Sequence, residues 1–534
     1  MDDVVLRIVA SVVCACLFCC ASVKLLGAMQ QSGYKNGVFL RWLKRRDNVV
    51  FNRLAVLALC LFLSATIIAL CFSFLGTRAA LLISAIPFLG FVIMFGIVDG
   101  KYALKVQTKR TGRLCRLFGT YLFVTAFIAY LLIAVLWLLA RLNGSVIYAL
   151  IAYAPFAVMP LLLPFLLCAA NAIDGVFENA RNEEFVKRAG QVLDESKIIR
   201  VAIVGSYGKT SVKNIVKTLL SEKYAVVETP QSFNTPIGIA KTVLSENFKK
   251  KQVFIAEMGA RKRGDVAELC RLVKPDYAIF TGVCEQHIMT FGSLENVWKE
   301  KSEILRCGVK KAVCGVGVMP WAKEEFGGLE NVWIADGTEA KNVRLGATET
   351  RFTVTLGGKE IEASVPLLGG AAVENVALAA KLAYEMGMTA EEIEKGIAKL
   401  QPVPHRLQLI ENGGVYILDD GYNCNPRGAK EAIAALGRFE GRKCLVTPGI
   451  VECGVLERSV NEGLGKTIAE AGLDKVILVG DTLVDAVRVG YIEAGGNDRA
   501  LQTVKTLDEA QTALGEWVMA GDAVLFLNDL PDVY

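Results

Sequence analysis

The stretch VAIVGSYGKTSVKNIVKTLL, residues 201–220, decides how the chain is read. It opens as an apolar strand, turns through Gly205, Ser206, Tyr207 and Gly208, and continues from Lys209 with the apolar spacing of a helix. A glycine-rich turn between a strand and a helix N-terminus offers backbone N–H groups and a positive helix end to phosphates. Lys209 is placed to reach β and γ oxygens, the Thr210 hydroxyl to bind Mg²⁺, and Ser211 completes the loop. Two residues separate the glycines, fewer than in the full P-loop signature, so the strand and helix on either side carry the reading towards a nucleotide site.

Around this motif the chain reads as alternating short β-rich runs and helical patterns. Ile199–Val204, Val253–Glu257, Tyr277–Thr281 and Lys311–Cys314 are continuously apolar and bounded by Gly, Pro or charge, as strands buried on both faces are. The alternation restarts after residue 405, with strands expected at Val415–Asp419, Cys444–Thr447, Val476–Val479 and Ala523–Leu527. Two successive α/β domains are therefore expected, 200–402 and 403–534. An amphipathic connector, 171–199, precedes them.

Upstream of the connector the composition changes. The 534 residues are 53% hydrophobic, more than a soluble chain of this size needs, because surfaces must be covered with polar groups. The excess lies in apolar stretches at about 4–28, 54–76, 79–99, 118–141 and 146–170, each able to cross about 30 Å of hydrocarbon as a helix. Residues 54–76 show no polar face, which a buried helix of a soluble core would have. Residues 1–170 are thus read as a transmembrane bundle of about five helices, giving a multi-domain protein in which that bundle precedes the two α/β domains. Lys35, Arg41, Lys44, Arg45, Arg46 and Arg53 fill the loop after the first stretch, and Lys101, Lys105, Lys109, Arg110, Arg113 and Arg116 the loop after the third. Positive loops stay on the cytoplasmic side. The expectation is a multi-pass plasma-membrane protein with its N-terminus outside and everything after residue 171 inside. The basic clusters adjoin apolar stretches and lack interleaved aromatics, so the lipid bilayer, not nucleic acid, is the expected partner. The fifteen cysteines are scattered, several within apolar runs, and imply no disulfide framework.

Several ordered segments extend the motif. GSYGKTS is joined by FIAEMGARKRGD, GVCEQHIMTFGSLENVWKEKSEIL, PVPHRLQLIENGGVYILDDGYNCNP and TPGIVECG. Together they resemble the Mur ligase family, in particular the branch that adds D-alanyl-D-alanine to UDP-N-acetylmuramoyl-tripeptide, over about residues 195–534. Residues 1–170 do not resemble that branch's soluble N-terminal domain. The resemblance implies an ATP- and Mg²⁺-dependent ligase that activates a carboxylate as an acyl phosphate for attack by an amine. Glu257 would be a Mg²⁺ ligand, His287 a second-site metal ligand, and Lys301 a lysine carbamylated into a carboxylate-like ligand. Asn375 would lie on the adenine side, although Ala371 and Ala372 stand where the family usually has a His-Asn pair. Arg406 would meet a nucleotide phosphate, Asp420 would hold the ribose, and Tyr422 would pack near the nucleotide.

The implied partners are a nucleotide-sugar peptide or a lipid-linked precursor, together with an amino acid or dipeptide. A poly-γ-glutamate-type acceptor is the other amide-forming possibility. A transport ATPase and an inactive scaffold are the alternatives of another class; the near absence of ionisable groups within the apolar stretches argues against transport.

Overall fold

The structure, a computed structural model, describes residues 2–44, 50–71, 90, 93, 96–97, 108–143, 159–230, 233–284, 288–422, 424–451, 453–480 and 483–528. It divides into two compact units, residues 1–182 with 531–534, and residues 183–530.

The first unit is helical: Asp2–Ala21, Val23–Gln31, Asn36–Leu43, Val50–Cys71, Gly112–Asn143 and the start of Met159–Glu195, within which the division between units falls. Among the described residues, two helices are long and apolar enough to cross a membrane, Gly112–Val135 and Met159–Glu195. Arg7–Ala21 and Val23–Gln31, bent by 57° at their break, would together make a third. The single stretch expected at 4–28 is thus broken at Ser22. There the hydroxyl bonds Phe18 O at 2.9 Å and Cys19 O at 3.1 Å, and such local side-chain bonds bend helices. The stretch at 118–141 lies inside Gly112–Asn143, and 54–76 overlaps Val50–Cys71. Of 79–99 only isolated positions are described, and the first part of 146–170 lies outside the described residues.

The second unit contains two six-stranded sheets and one three-stranded sheet. The first is built from β1 (Ile199–Val204), β2 (Val226–Glu228), β3 (Val253–Glu257), β4 (Tyr277–Gly282), β5 (Lys311–Gly317) and β6 (Val332–Ile334), in the order β2-β3-β1-β4-β5-β6. All its pairings are parallel. Alternate residues of each strand enter two different cores. Ala202, Val204, Phe254 and Phe280 face one, while Val201, Ile203, Ile255 and Ile279 face the other. Burial on both faces is why these strands read as unbroken apolar runs.

The strands β7 (Ala340–Leu345), β8 (Thr350–Leu356) and β9 (Lys359–Val365) form an antiparallel sheet. Its buried face, including Phe352, Val354 and Ile361, joins the second of those cores. Gly357 and Gly358, at φ 56° and 84°, make the tight turn between β8 and β9, a backbone that side chains rarely adopt.

The last sheet comprises β10 (Gln408–Asn412), β11 (Val415–Asp420), β12 (Lys443–Thr447), β13 (Lys475–Val479), β14 (Leu501–Val504) and β15 (Ala523–Leu527), in the order β10-β11-β15-β12-β13-β14. Only the β10–β11 pairing is antiparallel. The expected strands occur within one or two residues at each end, except β5, which runs three residues further.

Phe280 is fully buried and stacks on Trp298 at 5.6 Å, which in turn stacks on Trp321 at 5.8 Å. Truncating Phe280 to Ala is expected to lower the stability of the second unit by about 3–5 kcal/mol, through lost burial and the cavity left behind. The check is denaturant unfolding followed by tryptophan fluorescence; a change of under about 1 kcal/mol would mean the stack does not support this core.

Candidate active site

The carboxyl ends of β1, β3 and β4 meet at the first glycine-rich turn. Ile203 pairs with Glu257 across β1 and β3, and Val204 with Phe280 across β1 and β4, so strand register brings Gly205, Glu257 and Thr281 to one edge of the sheet. In an open α/β sheet this is where ligands bind.

Two glycines shape the turn. Gly205 has φ 152°, and a Cβ there would lie 1.9 Å from Thr281 Oγ1. Gly208, at φ 72°, is the N-cap of the helix Lys209–Leu220, and a Cβ there would lie 2.9 Å from Asn375 Oδ1. Only glycine fits either position. The Ser206 amide donates to Gly282 O at 2.7 Å, while its buried hydroxyl has no hydrogen-bond partner.

Two lysines converge on one carbonyl. Lys209 Nζ donates to Gly205 O at 2.8 Å and Lys301 Nζ donates to the same oxygen at 3.2 Å. Burial lowers the pKa of both. For Lys301, which is 1% exposed, burial first and then the Lys209 charge bring it down to about 7. Glu257, also 1% exposed, accepts from Thr210 Oγ1 at 3.0 Å and from Asn234 Nδ2 at 3.1 Å. Buried Lys213 lies 3.7 Å from the same carboxylate and donates to Thr229 O at 2.7 Å.

The second cluster lies at the carboxyl end of β11. Asp420 Oδ1 accepts from Leu407 N at 3.0 Å, and burial lifts its carboxyl to about 6. The Arg406 guanidinium lies 4.3 Å from the centre of the Tyr422 ring. Burial pulls Arg406 down, with Asp420, Tyr422 and Glu257 opposing. Both neighbours of Arg406 are left-handed, His405 at φ 60° and Leu407 at φ 46°. His405 Nδ1 lies 2.7 Å from Asp419 Oδ2. Backbone strain of this kind persists only where the surroundings impose it, and here it aims one arginine.

The residues present fit a nucleotide polyphosphate with Mg²⁺. A buried hydroxyl without a partner and a turn that a single Cβ would fill lie beside four basic side chains, Lys209, Lys213, Lys301 and Arg406. Mg²⁺ takes few protein oxygens and completes its shell with water and phosphate, so the Thr210 hydroxyl and Glu257 carboxylate are a sufficient protein contribution.

The sequence profile of the Mur ligase middle domain matches residues 203–383, and that of the Mur ligase glutamate ligase domain matches residues 405–528. The chain belongs to the Mur ligase family. Over 335 residues it is 29% identical to the UDP-N-acetylmuramoyl-tripeptide–D-alanyl-D-alanine ligase of Bacillus subtilis, covering 61% of this chain and 72% of that protein. The ligase of the same name from Escherichia coli is 30% identical over 295 residues, 52% of this chain and 64% of its own length. Among solved structures, the MurF ligase of Thermotoga maritima in complex with ADP superposes with a TM-score of 0.59 at 25% identity, covering 65% of this chain and 80% of that one. Neither profile extends into residues 1–202 of this Mur ligase.

Of the residues singled out from sequence, Lys209, Thr210, Glu257 and Lys301 gather at the phosphate turn, and Asn375 leans on it at Gly208. Ser211 lies in the first helical turn. Arg406, Asp420 and Tyr422 form the second cluster, and Arg406 is near enough to Lys209 to lower that lysine's pKa by its charge. His287 lies outside the described residues. Lys213, Asn234 and Thr281 were not foreseen. Lys213 could have been found from its place one helical turn after Lys209, on the face towards β3. Asn234 and Thr281 carry no local signal.

The expected ribose role of Asp420 has a pH signature. Its folded pKa of about 6 lies above the ordinary 3.8, so its contribution to stability is full below 3.8 and is lost as pH rises through about 6. The ionised carboxylate is the stronger acceptor for a ribose hydroxyl, so ATP affinity should fall as pH drops below that pKa, by at most about tenfold per pH unit. Asp420→Asn should bind ATP more weakly and with a shallower pH dependence, measured by calorimetric titration from about pH 5 to 7. Identical slopes in both proteins would remove Asp420 from the nucleotide site.

Proposed function

We propose that this Mur ligase is a membrane-anchored, ATP-dependent amide ligase that joins D-alanyl-D-alanine to UDP-N-acetylmuramoyl-tripeptide on the cytoplasmic side of the plasma membrane. The observation that carries the reading is the convergence of Lys209, Thr210, Glu257 and Lys301 on the Gly205 turn, in a chain whose relatives bear that activity in their names. Residues 1–170 supply the anchor, 200–402 the nucleotide-binding domain and 403–534 the domain that presents the amine, with 171–199 as connector.

ATP and Mg²⁺, when bound, would supply the phosphoryl group and the charge neutralisation by which the acceptor carboxylate becomes an acyl phosphate with ADP leaving; the amine then attacks the acyl carbon, forming the amide bond as phosphate departs. The chain's own groups position and stabilise. Lys209 offers a cation to the terminal phosphate oxygens, and the Ser206 hydroxyl, buried without a hydrogen-bond partner, is a donor that folding has already placed. Glu257 and Thr210 would hold the metal, and Asn234 and Lys213 contact the Glu257 carboxylate and fix its position. Arg406, Asp420 and Tyr422 bring the C-terminal domain onto the nucleotide, and its docking excludes water that would hydrolyse the acyl phosphate.

Lys301 is read as carbamylated. With its pKa at about 7, about half of it is free amine at neutral pH, the form that attacks carbon dioxide. The product replaces a second cation beside Lys209 with an anion able to bind metal. Lys301→Ala is accordingly expected to lose nearly all ligase activity and to regain part of it with added short carboxylic acids. Full activity without additives would leave Lys301 a structural lysine.

A second reading, a lipid-linked muropeptide as acceptor, is favoured by the apolar helices of residues 1–182. Mass spectrometry of cell-wall precursors on depletion of the protein separates the two. Accumulation of UDP-linked tripeptide supports the principal reading, accumulation of lipid-linked tripeptide the second, and an unchanged precursor pool would contradict both.

A further inference from the structure

Arg427, the second residue of the helix Pro426–Leu436, reaches out of the C-terminal domain to two groups of the central domain. Its Nη1 donates to the Tyr207 hydroxyl, its Nη2 donates to Glu374 Oε2 at 2.7 Å, and its guanidinium lies 4.5 Å from the centre of the Tyr207 ring. One planar fork thus serves a hydroxyl, a carboxylate and an aromatic face, a combination lysine cannot make.

Both targets belong to the phosphate turn or lie against it. Tyr207 is the residue between Ser206 and Gly208, and its carbonyl accepts from Thr281 Oγ1 at 2.5 Å. Its ring fills a slot at the ends of β4 and β5: a Cβ at Gly282 would lie 2.0 Å from the Tyr207 hydroxyl oxygen, and one at Gly317 1.9 Å from it. The ring lies tightly against both strands, with the Arg427 guanidinium beside it. Glu374 precedes Asn375, the residue that leans on Gly208. Glu374 is largely buried, and Arg427, ahead of the Val316 backbone, is the main partner that offsets the cost of burying this carboxylate. Burial raises the Glu374 pKa, and Arg427 is the first influence opposing it.

We propose that Arg427 is a positioning residue that couples docking of the C-terminal domain to the shape of the phosphate turn, through Tyr207 on one side and Glu374 on the other. The inference rests on the reading of that turn as an ATP site. Coupling is reciprocal: if docking the domain shapes the turn for phosphate, then bound nucleotide favours the docked domain. Nucleotide capture and presentation of the amine are thereby linked through one guanidinium.

The test uses the purified full-length protein with ATP and Mg²⁺ as the probe, measuring ATP affinity by calorimetry and the nucleotide-free melting temperature. Arg427→Met and Tyr207→Phe are each expected to weaken ATP binding by about tenfold, and the double variant to be no weaker than the weaker single one, because both remove one linkage. Arg427→Lys, which keeps the charge opposite Glu374 but loses the fork, should recover only part of the loss. The nucleotide-free melting temperature should stay within about 2 °C of the parent in Tyr207→Phe, which retains the packed ring. ATP affinities within twofold of the parent in Arg427→Met, or losses that add in the double variant, would overturn the coupling. A lower melting temperature with unchanged ATP affinity would likewise reduce Arg427 to a structural contact. A parent protein that does not bind ATP would instead strike the ligase reading itself.

Discussion

Two ammonium groups share the Gly205 carbonyl, Lys209 at 2.8 Å and Lys301 at 3.2 Å, and the arrangement of the second unit follows from the need to hold them there. Burial of an ammonium group, and secondly the Lys209 charge beside it, bring the Lys301 pKa down to about 7. Such a site gains most from an anion, whether phosphate oxygens or a carbamate on Lys301 itself. The turn can bring the lysines together only because Gly205 and Gly208 lie at φ 152° and 72° and leave no room for a Cβ. A parallel sheet buried on both faces fixes the turn in turn, since it sets the register that delivers Glu257 and Thr281 to the same edge.

The C-terminal domain completes this arrangement from outside. Arg406 adds a further positive charge, held in place by left-handed backbone on both sides and by the face of Tyr422. Arg427 grips the turn through Tyr207. One arginine of the C-terminal domain therefore contacts the glycine-rich turn of the central domain and a second acts on Lys209 by its charge, the geometry expected if the reactive complex forms only when the domains are together. The described helices of the first unit pack around an apolar core that includes Phe18, Leu25, Phe39 and Leu117.

Much of the second unit was legible in the sequence, for a physical reason. Strands buried on both faces must be apolar throughout, so β1, β3, β4 and β15 stand out against charged helices. The sheet β7–β9 was missed because only one of its faces is buried; β9 alternates buried and exposed residues and is rich in Lys and Glu, although Gly357-Gly358 marks its turn. Residues that the structure brings together were singled out where a motif fixes their spacing, as for Lys209 and Thr210. Arg427 and Tyr207 are 220 positions apart, and nothing local to either announces a contact that only the packing of two domains creates. In the first unit, hydropathy marks apolar length but not where a helix breaks, and the Ser22 hydroxyl decides that.

The central claim is that this phosphate turn drives amide formation, and release of ADP by the purified full-length protein tests it most directly. UDP-N-acetylmuramoyl-tripeptide and D-alanyl-D-alanine would be supplied separately and together. The account predicts sustained ADP release only when both the carboxylate and the amine are present, in step with formation of the amide. Sustained release that is indifferent to the amine would contradict it.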